Sequence, residues 1–300
     1  MIVRIGYNAP AATPDTGDFT ALVQGLEREG FDSLWVSERA TGPSPDPVVA
    51  LTYAAALTTR IKLGTSVMTL PGRRPALVAK ELASLDRLCG GRLLPAFGLG
   101  LRNAGEHQAF GVRREERAAI FEEALPLLRR FWAEDEVTHH GTHFSYEDLR
   151  VLPKPVKRGF DVWMGGASDA ELRRTGRLSD GWLAAFITPA EGERGRVLIQ
   201  QAAAEAGREI EEEHFGAVVP YRRGPLDPQV EARLARSRIA RGPAPVAEVI
   251  PTLETLETHL EHLVEAGLSK FVLAPLATPP NWDTELADVR DAVLFLQTKR

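Results

Sequence analysis

The sequence predicts an α/β fold: a (β/α)8 TIM barrel with insertions after some strands. Three observations point there. Short apolar strand patterns alternate with longer helical patterns along the chain, which requires parallel strands joined by right-handed crossovers. Eight strand–helix pairs can be traced, the number that closes such a barrel. A chain of 300 residues with 44% hydrophobic and 26% charged residues has the composition of an ordinary globular domain and the length of one barrel. The expected organisation is a single domain over residues 1–300, interrupted by excursions at about 137–155 and 222–251. An open, doubly wound sheet is the alternative architecture.

The elements follow in order. Residues 2–7 read as the first strand, and a helix runs from Asp18, its expected N-cap, to Glu29 before Gly30. Residues 33–36 form the second strand, and Asp46-Pro47 opens the next helix, with proline at the first helical position. The third strand, 61–68, is rich in β-branched residues. A helix from Pro75 to Leu88 stops at Gly90-Gly91, and residues 93–99 form the fourth strand. In the long helix over 114–132, Ile120, Phe121, Ala124, Leu127, Leu128 and Phe131 share one face. The first excursion reads as a hairpin turning at Gly141. Strands at 162–164, 181–186, 215–221 and 270–274 then alternate with helices at 168–178, 189–206, 253–266 and 284–296.

The formal net charge of −5 argues against a nucleic-acid platform, which carries a basic face. No run of about 18 apolar residues occurs, so no membrane span is expected. The N-terminus lacks the apolar core of a signal peptide. The single cysteine, Cys89, forms no intrachain disulfide, and a cytoplasmic location is expected. His139, His140 and His143 cluster in the first excursion, and His259 and His262 stand at i, i+3 on a late helix. Neither group gains a cysteine or carboxylate set to complete a metal site, so no metal is expected.

In such a barrel the ligand site lies where strands end and βα loops begin. The first end carries Asn8, an amide able to donate to and accept from a heteroaromatic ring. The second carries Glu38 beside Arg39 after SLWV, poised to orient a ligand or to satisfy one another. The fourth carries Gly98 and Gly100, where a planar ligand can approach the backbone, with Glu106 and His107 beyond. The glycine spacing is not that of a dinucleotide fingerprint. At the fifth end Gly165, Gly166, Ala167 and Ser168 run from strand into helix. Small residues there offer successive N–H groups at a helix N-terminus, the requirement for a phosphate cradle. At the sixth end Trp182 packs in the core or against a ligand.

These motifs together resemble the luciferase-like monooxygenase family of flavin and deazaflavin enzymes. The resemblance covers nearly the whole chain. It is strongest from GFDSLWVSER through LASLDRLCGGRLLPAFGLG to EHQAFG, and returns at PKPVKRGFDVWMGGASDAELRR and LSDGW. It implies FMN or coenzyme F420 across the barrel mouth, with the phosphate end by residues 165–168. Arg73, Lys80, Asp86 and Arg92 match scaffold positions of the family. GTSVMT, residues 64–69, resembles the deazaflavin-using branch in particular, which implies a cis peptide between Ser66 and Val67. It also implies Asn8, Glu38, Ser66 and Val67 near the ring, with Gly98 and Glu106 flanking it.

The sequence departs from the family at the second strand end, where many deazaflavin dehydrogenases have Asp-His and this chain has Glu38-Arg39. Arginine stays protonated and is a poor general base. The expected activity is hydride transfer between F420 and a small organic substrate. Glu38, Arg39 and Glu106 are the candidate catalytic residues, Arg39 by fixing an anionic or carbonyl-bearing substrate. The alternative is an FMN-dependent two-component monooxygenase served by a reductase partner; a non-enzymatic flavin-binding protein is a remoter reading. A barrel lyase would need a lysine or carboxylate base at a strand end, and the six lysines offer little for it. Relatives often pair through barrel helices, so a homodimer is expected.

Overall fold

The computed structural model describes residues 1–12, 15–157, 159–237 and 244–297. Strands occupy Arg4–Asn8 (β1), Ser33–Val36 (β2), Lys62–Thr65 (β3), Met68–Thr69 (β4), Leu93–Leu94 (β5), Ala96–Gly98 (β6), Val137–His140 (β7), Ser145–Leu149 (β8), Trp163–Met164 (β9), Gly181–Ala185 (β10), Phe215–Tyr221 (β11) and Lys270–Pro275 (β12). Helices occupy Thr16–Glu29 (α1), Pro47–Leu57 (α2), Pro75–Leu88 (α3), Ala104–Phe110 (α4), Arg117–Ala133 (α5), Asp169–Leu178 (α6), Pro189–Glu205 (α7), Pro228–Ser237 (α8), Leu256–Glu265 (α9) and Trp282–Val293 (α10).

Two barrel strands are broken in the middle. β3 and β4 are the halves of the third strand, and β5 and β6 the halves of the fourth: β3 pairs with β5 and β4 with β6. From β6 the parallel pairing runs through β9, β10, β11 and β12 to β1, β2 and back to β3. The sheet therefore closes into eight parallel strands. The seam is the pairing of the first strand with the last, with Arg4 opposite Lys270 and Tyr7 opposite Leu273. The expected boundaries hold to within a few residues.

Trp35, Ala96, Trp163, Leu183 and Val272 cluster together, one from each of five strands. Trp35 fits because Gly64 faces it: a Cβ there would lie 2.3 Å from Cε3 of the indole. At the strand N-termini Lys270 Nζ reaches Asp32 at 3.0 Å, and Arg4 stands 3.7 Å from the same carboxylate. A second, larger apolar layer lies between strands and helices, including Leu22 and Leu26 of α1, Leu82 of α3 and Phe121 of α5.

Some local expectations change. Asp15, not Asp18, caps α1, its carboxylate accepting from the N–H groups of Gly17 and Asp18. The first excursion is a hairpin, β7 against β8, turning where the Gly141 N–H donates to Phe144 O at 2.9 Å. Glu123 of α5 holds it, accepting from the His143 and Phe144 amides and meeting His139 Nε2 at 3.0 Å. The second excursion contains α8; its residues 238–243 lie outside the described residues. Helix α4 was not anticipated. No helix among the described residues is long and apolar enough to cross a membrane.

The entry to β3 hangs on Glu27. Its carboxylate accepts from the Thr59 N–H at 2.7 Å, Thr59 Oγ1 at 2.9 Å, the Arg60 N–H at 3.1 Å and the Ile61 N–H at 3.1 Å. Burial pushes this carboxyl up, but the donated hydrogen bonds outweigh it and bring it down to about 2. A depressed folded-state value means that ionised Glu27 stabilises the fold. The stability difference between wild type and Glu27→Gln, followed by urea denaturation, is expected to be full above pH 4.5 and to shrink as pH falls towards 2. A difference that ignores pH would contradict this account.

Candidate active site

The C-terminal ends of the barrel strands gather the sequence-predicted residues from distant parts of the chain. Asn8 ends β1, Ser66 and Val67 form the break between β3 and β4, and Gly98 ends β6. The Ser66–Val67 peptide is cis, as the family resemblance implied. Ser66 Oγ donates to Asn8 Oδ1 at 2.5 Å. Ser37, the residue after β2, joins them: its hydroxyl donates to Ser66 O at 2.9 Å and lies 3.1 Å from Ser66 Oγ, while Asn8 Nδ2 donates to it at 3.3 Å. Three adjacent strands thus end in one hydroxyl–amide cluster.

Beside this cluster the Val67 side chain packs against two glycines. A Cβ on Gly98 would lie 2.6 Å from Val67 Cγ2, and one on Gly165 would lie 3.1 Å from Val67 Cγ1. Val67 therefore fills the space that both glycines leave open. Trp182 is core, buried and packed on Gly195, but its indole also donates to Gly166 O at 2.8 Å. It steadies the loop after β9 from below.

That loop departs from expectation. The Ala167 and Ser168 amides are not free: both donate to Glu171 Oε2, at 3.1 and 3.0 Å, and Ser168 Oγ donates to the same oxygen at 2.8 Å. The Gly165 N–H donates to Phe97 O at 3.2 Å. Ser168 is the N-cap of α6 and Glu171 closes a capping box. The S-D-A-E spacing carried this signal, because an N-cap serine with glutamate three residues on is a capping-box pattern. Glu171 Oε1 also lies 3.7 Å from Arg102 of the loop after β6. Burial pushes the Glu171 carboxyl up, and its bonds to Ser168 and Ala167 together with Arg102 bring it below the ordinary range. The cradle accordingly binds an oxyanion in this structure, and the anion is the chain's own carboxylate.

The two candidate catalytic carboxylates also face inward. The Glu38 side chain is 5% exposed. One oxygen accepts from the Thr69 N–H at 2.6 Å and the other pairs with Arg73. Burial pushes Glu38 up, with Arg73 opposing. Arg73 also lies 4.0 Å from Asp46, the N-cap of α2. Glu106 is 2% exposed and accepts from the N–H and hydroxyl of Thr41. Arg39 differs: it is exposed, and no acidic side chain among the described residues pairs with it. The other scaffold matches are ties between segments. Lys80 Nζ donates to Leu152 O, Asp86 accepts from the Val156 N–H, and Arg92 donates to backbone carbonyls of residues 55, 58, 61 and 89.

A model of the luciferase-like monooxygenase family matches residues 3–258. The chain belongs to this family. An F420-dependent glucose-6-phosphate dehydrogenase of Kineococcus radiotolerans is 30% identical over 191 residues, which cover 60% of this chain and 56% of that protein. Among solved structures, an F420-dependent secondary alcohol dehydrogenase in complex with an F420–acetone adduct superposes with a TM-score of 0.83 at 20% identity, covering 99% of this chain and 100% of the other. The oxygenating constituent of 3,6-diketocamphane monooxygenase from Pseudomonas putida, in complex with FMN, does so at 0.75 and 18% identity, covering 98% of each chain. These two likenesses show the luciferase-like barrel fold.

The Glu38–Arg73 pair makes a direct prediction. Removing one partner of a buried ion pair leaves the other charge uncompensated. Arg73→Ala is expected to cost about 3 kcal/mol in chemical denaturation at neutral pH, and adding Glu38→Gln should restore part of it. Full additivity of the two substitutions would show that the pair is not coupled.

Proposed function

We propose that this luciferase-like chain is an F420-dependent oxidoreductase acting on a small organic substrate. One observation carries the reading: Asn8, Ser37 and Ser66 converge at three strand ends, beside Val67, whose side chain packs into the space that Gly98 and Gly165 leave. An amide and two hydroxyls can donate to and accept from the edge of a polar ring, and the two glycines make room for the Val67 side chain beside them. The relatives named F420-dependent support the choice of cofactor. F420, when bound, supplies two-electron hydride chemistry.

The protein's part is to bind, orient and exclude. Asn8, Ser37 and Ser66 hold the ring edge. Ala167, Ser168 and the Ser168 hydroxyl hold the phosphate once Glu171 gives way, and Arg102 stands by to pair with either anion. Arg39, the accessible member of the catalytic candidates, fixes an anionic or carbonyl-bearing substrate; a guanidinium cannot serve as base. Glu38 and Glu106 shape the wall of the mouth. Residues 1–300 act as a single barrel domain, and the free, buried Cys89 supports a cytoplasmic setting.

The same reading includes a homodimer. Helix α2, PVVALTYAAAL, has no charged residue. Its outer face shows Val49 at 67% exposure together with Tyr53, and Leu77 of the neighbouring α3 is 60% exposed. An outward helix face without charges marks an interaction surface. Sedimentation is expected to show a dimer that Val49→Glu and Leu77→Glu dissociate; a wild type that stays monomeric at tens of micromolar would end this part of the proposal.

The cofactor is tested by titrating the protein with F420 and with FMN, following ring fluorescence. F420 is expected to bind more tightly. Glu171→Ala should tighten it by about tenfold, because an unfavourable exchange of anions worth about 1.4 kcal/mol is removed. Preferential binding of FMN would replace this reading with the FMN-dependent monooxygenase and its reductase partner. Weaker F420 binding by Glu171→Ala would move the phosphate away from residues 167–168.

A further inference from the structure

The loop between β2 and α2 and the helix after β6 come from different βα units, and one carboxylate joins them. Glu106 Oε1 accepts from the Thr41 N–H at 3.0 Å and from Thr41 Oγ1 at 2.8 Å. The base of that side chain is itself fixed, because Asn103 caps α4 and accepts from the Glu106 N–H at 2.9 Å. Packing reinforces the contact: a Cβ on Gly105 would lie 3.0 Å from Thr41 Cγ2. Thr41 sits inside a turn closed by the Gly42 N–H donating to Arg39 O at 3.0 Å. The turn is tight, since a Cβ on Gly42 would lie 2.9 Å from Arg39 Cβ. The backbone from which Arg39 extends is thus held from outside its own loop by Glu106.

The chemistry of the contact fits a positioning role. Both partners of Glu106 are donors, so the side chain works as an acceptor, a task that an amide oxygen can also perform. Its other oxygen, Oε2, is buried with no hydrogen-bond partner, and no cationic side chain pairs with Glu106 among the described residues. Glu106 lines a water-sized cavity shared with Thr69, Arg117 and His107, whose Nε2 is likewise buried and unpartnered. Arg117 turns Nη1 to the carbonyls of Leu99, Gly100 and Leu101, holding the far wall of that cavity.

We propose that Glu106 is a positioning residue, a latch that fixes the Arg39–Gly42 turn to α4, and that it exchanges no proton with substrate. Giving Arg39 a substrate rests on the function proposed above; the latch does not. The test uses the full-length protein and three variants, Glu106→Gln, Glu106→Ala and Thr41→Val. Amide hydrogen exchange is read in the peptide spanning 39–42, and F420 titration is run in parallel. Glu106→Gln should stay within about threefold of wild-type exchange, because it keeps the acceptor. Glu106→Ala should exchange at least about tenfold faster there, with the strand peptides unchanged. Thr41→Val, which deletes only the hydroxyl bond, should fall between them and carries the test if Glu106→Ala does not fold. Unchanged exchange in a folded Glu106→Ala, or an equal loss in Glu106→Gln, would overturn the latch. Failure of the wild type to bind F420 would sink the cofactor reading and leave the exchange result standing.

Discussion

Everything in this molecule depends on a seam between residues more than 260 positions apart. Arg4 to Tyr7 of the first strand pair in register with Lys270 to Leu273 of the last. Until that pairing forms, the parallel sheet has two open edges and neither an inside nor a mouth. Once it forms, every strand C-terminus points to one rim, and the side chains at those ends have to share it. The interior beneath is filled by indoles, and the opposite end is occupied by Lys270, Asp32 and Arg4.

The rim divides its polar groups between two tasks. Asn8, Ser37 and Ser66 hydrogen-bond chiefly to one another and present short, adaptable groups. The carboxylates do the opposite. Glu38, Glu106 and Glu171 are each turned towards backbone N–H groups: those of Thr69, of Thr41, and of Ala167 with Ser168. Backbone amides at loop ends need acceptors, and here acidic side chains supply them: Glu38 from the loop after β2, Glu106 from α4 and Glu171 from α6. The cationic side chains Arg39 and Arg102 are left at the solvent side. Two exposed guanidinium groups thus stand at loops after the strand ends, although the chain as a whole carries a net charge of −5.

Much of the barrel was legible in the sequence because parallel strands buried on both faces leave short apolar runs, and helix boundaries carry Pro47, Pro75 and Gly90. The positions of Asn8, Gly98 and Gly165 followed from the rule that sites lie at strand ends, and that of Ser66 from the family resemblance. What the strand-end rule cannot supply is direction. It places Glu38 and Glu106 at the rim but does not say whether a carboxylate looks outward to a ligand or inward to an amide. That choice is made by contacts with Thr69, Arg73 and Thr41, residues brought near only by closure. Helix α4 escaped because its seven residues are too short to show a period. Glu171 escaped although S-D-A-E was in plain view, since the same serine also suited a ligand.

The loop from Ser37 to Asp46 is held at three stations: by Glu38 on Thr69 and Arg73, by Thr41 on Glu106, and by Asp46 capping α2. The side chains between these stations contribute little to holding them. A segment anchored in this way can exchange its intervening residues without losing its course, much as an antibody framework tolerates new loops. Such an arrangement lets one barrel diversify its preferences over evolutionary time while its architecture stays put.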